Sequence, residues 1–148
     1  MVVRTSLLVS QRAHRSSLRV WANSPRSASA ACYRKAADQG YPFAENNLAM
    51  MYETGKGVMR DYAEALKLFG EGAAKGNGFS QYKLGRMYER GLGVKKDLVE
   101  AYRWYLLAAQ HQDEHASESL KRLDPLLSQA QKDDAHMRAA AGKGQGHD

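Results

Sequence analysis

Histidine and glutamate at metal-binding spacing are the first chemistry that the chain offers. His111-Gln112-Asp113-Glu114-His115 reads H-x-x-E-H; on a continuous helix that spacing lets two imidazoles hold one zinc ion while the glutamate takes a proton from a bound water. A chain that used it would be a small zinc-dependent hydrolase. The segment lies between two helical patterns, however, and opposite Lys75-Gly76-Asn77-Gly78-Phe79 of a preceding repeat, so a solvated polar turn is expected there. Gly55-Lys56-Gly57 and Gly91-Leu92-Gly93 invite comparison with phosphate loops, yet neither extends to G-x-x-x-x-G-K-[ST] and no strand pattern precedes them. The pairs Asp61/Glu64 and Asp97/Glu100 have the spacing of acidic capping boxes, which accounts for them without an acid–base role. Cys32 is the only cysteine, which excludes an intramolecular disulfide and a zinc site built of cysteines. Its place in the repeat register predicts a small buried apolar role, not a nucleophile. No catalytic residue, metal or cofactor is assigned.

The elements that would position any site come from an internal repeat. Laying residues 44–75 on 80–111, an offset of 36, gives 11 identities in 32 pairs, where unrelated segments of ordinary composition share about two. The identities include Leu48/Leu84, Met51/Met87, Tyr52/Tyr88, Glu53/Glu89, both glycine pairs, Asp61/Asp97 and Ala65/Ala101. Tyr33, Ala37 and Gly40 continue the register backwards, and Ala116, Leu120 and Leu123 continue it forwards. Each unit reads as two helices. Leu48, Met51 and Tyr52 (then Leu84, Met87 and Tyr88) share one face of the first. A glycine pair ends it, an aspartate caps the second, and Ala65, Phe69 and Ala73 (Ala101, Tyr105 and Ala109) form the buried stripe of that second helix. Gly76 stops it. Gly70 and Gly72 lie inside the second helix of the first full unit and predict that it is weak.

A lone helix pair of this size cannot bury its apolar face, so successive pairs must stack. The expected fold is all-α, a short right-handed α-solenoid of two full 36-residue repeats flanked by partial ones. Asp124-Pro125 breaks the pattern, and a polar helix from about Ser128 to Ala141 closes the stack as a cap. The sequences LAMMYETGKGVMRDYAEALKLF at 48–69 and LGRMYERGLGVKKDLVEAYRWY at 84–105, with CYRKAADQG at 32–40, resemble the Sel-1-like repeat family, a relative of the tetratricopeptide repeats. The period and the glycine pair separate the two families, and the resemblance covers about 32–123. It implies an adaptor that helps assemble or regulate protein complexes.

Charge agrees with that reading. The formal net charge is +6 over 148 residues, but residues 1–31 hold five arginines and no acid, leaving 17 basic and 16 acidic residues in 32–148. So nearly neutral a folded part gives no reason to expect nucleic-acid binding, which needs a clustered basic face. No apolar run approaches the roughly 18–20 residues of a membrane span. A soluble, intracellular chain is favoured, divided into an Arg/Ser-rich segment 1–31, a repeat domain with its cap at 32–141 and a flexible tail at 142–148. The first segment reads three ways: an uncleaved tail, a mitochondrial-type presequence or a degenerate secretory signal. The expected function is a non-enzymatic module that binds a protein or peptide along the solenoid groove. On the first helices, Asn46, Met50 and Glu53, then Tyr82, Arg86 and Glu89, are the candidate groove residues, with Met50 and Tyr82 as apolar anchors. The alternatives are the zinc hydrolase on His111, Glu114 and His115, and a shortened repeat protein without activity.

Overall fold

Left-handed glycines and aspartate caps recur at the same register and set the helix boundaries. The computed structural model describes residues 25–142; the expected leader as far as residue 24, and the tail from residue 143, lie outside the described residues. Seven α-helices follow in order: α1 (Pro25–Asp38), α2 (Pro42–Thr54), α3 (Tyr62–Ala74), α4 (Gly78–Arg90), α5 (Leu98–Gln110), α6 (Glu114–Leu123) and α7 (Gln129–Gly142), with a 3-10 turn at Asp124–Leu126. There is no strand among the described residues. Gly55 and Gly91 close α2 and α4 in the left-handed conformation, at φ 72° and 68°, where residues with a Cβ are disfavoured. Asp61 accepts from the Glu64 amide at 3.1 Å and Asp97 from the Val99 and Glu100 amides at 3.0 Å, so α3 and α5 begin at the expected caps. At α7, Ser128 and Gln131 exchange hydrogen bonds of 3.2 and 2.9 Å in a reciprocal capping box.

Each helix packs on its neighbours in sequence, α1 on α2 through to α6 on α5, and α7 lies back on α5. This is an α-solenoid closed by a capping helix. Its interior forms two clusters. Leu48, Ala49, Ala65, Leu68, Phe69, Ala73, Leu84 and Met87 make the first; Ala101, Tyr105, Ala108, Ala116, Leu123, Leu127 and Ala135 are among the residues of the second. Phe69, Met87, Tyr105 and Leu123 are fully buried, each contributing about 1.5–3 kcal/mol from its apolar surface.

Within the thirteen residues of α3, Gly72 has a packing purpose: a Cβ there would overlap Ser80 Oγ and stand 3.0 Å from Ser80 Cβ. The glycine that weakens the helix alone lets α4 approach it. Cys32 is exposed instead of buried. Its register partner Trp104 on α5 packs against the core of the preceding unit, and ahead of α1 there is no described helix for Cys32 to reach.

Candidate functional site

The six groove candidates stand on the first helices of two successive units, α2 and α4, and all are half-buried. Three of them hold neighbouring units together. Asn46 Oδ1 accepts from Ser80 Oγ at 2.5 Å, and its amide nitrogen faces Asn77 Oδ1 at 3.4 Å. Glu53 pairs with Lys83 of the next unit at 2.8 Å, with both side chains under 15% exposed, at 12% and 14%. Glu89 accepts the Tyr105 hydroxyl at 2.6 Å and is gripped by both terminal nitrogens of Arg122 on α6.

The electrostatics follow from that geometry. Burial alone would raise the Glu89 carboxyl, but the hydrogen bonds from Arg122 and Tyr105 outweigh it and hold the group below the usual 4.5. Burial and then the adjacent Glu89 carboxylate push the Tyr105 phenol well up, so it remains a donor. Arg122 is raised by its bond to Glu89.

The other three candidates form the accessible part of the surface. Met50 packs along one edge on the first core and Tyr82 on the second. The Arg86 guanidinium lies 5.9 Å from the centre of the Tyr82 ring, a cation–π arrangement. Tyr82 also stacks at 5.8 Å on Tyr105 and at 5.6 Å on the His115 imidazole. Lys83, Asn77, Ser80 and Arg122 complete the surface; of these only Ser80 stands out in the sequence, as a small residue beside the Leu84 and Met87 stripe that lets a neighbouring helix approach closely. Arg122 stands one period after Arg86, and that register was the available signal.

The H-x-x-E-H segment does not form one helix. His111 caps the end of α5, Gln112 turns back at φ 62° and Asp113 caps α6, accepting from the Ala116 amide at 3.1 Å. Glu114 then begins α6, and the ring of His115 beside it lies against Tyr82. Among the described residues no group of three or more His, Cys, Asp or Glu side chains is placed to hold a metal. No described helix is long and apolar enough to cross a membrane.

Comparison with known proteins agrees with this architecture. A protective antigen of uropathogenic Escherichia coli with an SLR fold superposes with a TM-score of 0.73 at 29% identity, over 76% of this chain and 24% of that one. A Sel1 repeat protein from Oxalobacter formigenes gives 0.61 at 32% identity, over 66% of this chain and 40% of that one. The chain thus spans well under half the length of either solved protein. No curated protein matches it. The Sel1 repeat model matches residues 26–41, 42–77 and 78–113, and the last two ranges each enclose one full helix pair, α2–α3 and α4–α5. With the match running over more than half of the chain and ending on the same turns that close the helix pairs, the chain belongs to the Sel1 repeat family.

Proposed function

We propose that the chain is a non-enzymatic interaction module that binds a protein or peptide partner along the first helices of its repeats, in the service of complex assembly or signalling. The observation that carries this reading is the division of labour on α2 and α4. Asn46, Glu53 and Glu89 are fixed by bonds between units, and Met50, Tyr82 and Arg86 stand beside them half-exposed. A methionine, an aromatic ring and an arginine on a surface already held in place are the side chains that dominate protein recognition. Little ordering is left to be done on binding. Sel1 repeats typically serve as interaction scaffolds, which supports the same conclusion.

The test is affinity purification of the full chain from its own cells, read by mass spectrometry, beside a Met50→Glu/Arg86→Glu variant whose helix content is checked by circular dichroism. Partners lost from the folded variant, and retained by His111→Ala/His115→Ala, are the expected result. A partner set that ignores the α2–α4 substitutions rejects this surface. Dependence on the two histidines instead would favour the zinc reading.

A further inference from the structure

Inside the array, the second glycine turn has a seat on the unit before it. The turn after α4 packs backbone to backbone on the start of α3: a Cβ at Gly93 would lie 2.8 Å from the Tyr62 carbonyl carbon and oxygen. Leu92 of the same turn packs against the first core. One period later the positions of Leu92 and Gly93 are held by Ser128 and Gln129, and the chain has left the repeat for the 3-10 turn and α7. At the start of α5 the place is taken instead by Leu126 and Leu127, of which Leu127 is buried in the second core cluster beside Leu98 and Val99.

A cavity of about 610 Å³ remains there, lined by Tyr88, Val94, Leu98, Val99, Leu126 and Leu127. Leu126 is 63% exposed at its edge. Lys95 and Lys96 also line it, and neither forms a hydrogen bond or ion pair with another described residue. The nearby carboxylates are engaged: Asp97 accepts from the α5 amides, and Asp124 takes Lys132 at 3.3 Å. The Tyr88 hydroxyl has no hydrogen-bond partner among the described residues. The result is an open cleft of mixed lining, Asp97 and Gln131 standing among its apolar residues, with two uncommitted positive charges at its edge.

We infer that this cleft at the end of the array binds an acidic peptide segment of a partner protein, in which an apolar side chain lies against the exposed Leu126 and flanking carboxylates meet Lys95 and Lys96. Charge complementarity selects that occupant. A second copy of the chain would bring its own glycine turns, bordered by Lys56, Arg60, Lys95 and Lys96, and so set cation against cation. α7 covers the adjoining face of α5. This site lies apart from the α2–α4 surface and does not depend on it.

The experiment selects short random peptides displayed on phage against the full chain and against a Lys95→Glu/Lys96→Glu variant, both exposed positions. Peptides pairing an apolar residue with Asp or Glu should be enriched on the natural chain and bind the variant at least about tenfold more weakly. Amide shifts in a nitrogen–proton spectrum should concentrate at 94–99 and 126–131. Leu126→Asp, which removes an exposed apolar contact, should weaken the same peptides. Enrichment of acid-free peptides, equal binding to the charge-reversed chain, shifts elsewhere or no enrichment each overturns the inference. So does a chain that dimerises in sedimentation equilibrium and is returned to monomer by Leu126→Asp, which gives the cavity to a second copy.

Discussion

Gln112 occupies a backbone position that the repeat gives to glycine. Gly40, Gly76 and Gln112 are spaced by one period and have φ of 81°, 85° and 62°. The chain must turn left-handed at this point to leave one helix pair and enter the next. Glycine does so freely, whereas glutamine pays the contact between its Cβ and the following carbonyl. We expect Gln112→Gly to stabilise the chain by about 0.5–1 kcal/mol, the left-handed penalty of about 1–2 less the unfolded-state freedom that glycine adds. The midpoint of chemical denaturation reads it, and an unchanged or lower midpoint would mean that the Gln112 side chain has gained a compensating contact. The same position dissolves the zinc pattern: sequence alone could place His111 to His115 between two helices, because the register set it opposite Gly76. The partners of Asn46, Glu53 and Glu89 were not legible in that way. Ser80, Lys83 and Arg122 lie roughly thirty residues further along, and which of several candidates meets a given acid depends on how one unit is set against the next.

Helix α3 shows the limit of propensity at the scale of the element. Gly70 and Gly72 are identical by that measure, each up to about 1 kcal/mol worse than alanine in a helix interior, but only one is a defect. A Cβ at Gly70 meets nothing within 4 Å, while at Gly72 it overlaps Ser80, the residue that also hydrogen-bonds Asn46. Gly70→Ala should therefore raise stability by about 0.5–1 kcal/mol, and Gly72→Ala should lower it by about 1–3 kcal/mol through the forced separation of α3 from α4. Thermal unfolding of the two variants separates the readings: equal shifts of the same sign would mean that propensity alone governs α3. Gly85 carries the same logic into α4, since its Cβ would stand 2.8 Å from the buried Tyr105 ring. The helix boundaries were legible because glycine turns and aspartate caps act within three or four residues of themselves. Of the close approach at Gly72 only the small Ser80 was legible, its partner being a property of two helices, and the start of α1 at Pro25 was not, inside a stretch whose Arg and Ser content resembles a leader.

Across the whole molecule, the units are joined by few polar bonds, and their chemistry makes the stack sensitive to acid. Glu53–Lys83 links the first full unit to the second, and Glu89–Arg122 links the second to the closing helices. Solenoid stability is close to a sum of units and the interfaces between neighbours, so losing one interface frees the end of the array before the middle. Glu89 has its carboxyl held below 4.5 in the folded chain. Its stabilising contribution is therefore complete above the ordinary carboxylate value and declines as pH falls through the depressed one. At that point Arg122, whose side chain is 56% exposed, is released to water, and the buried Tyr105 hydroxyl loses a charged acceptor. Hydrogen exchange on the full chain should show α6 losing protection as pH falls below the ordinary carboxylate value, ahead of α4. Glu89→Gln should begin about 1 kcal/mol less stable at pH 7 and lack this part of the acid dependence, so that the two stability curves converge as pH falls. Curves that stay parallel would show that Glu89 titrates alike in the folded and unfolded chains, and the coupling of the closing helices would then rest on Leu123, Leu127 and the rest of the second core cluster.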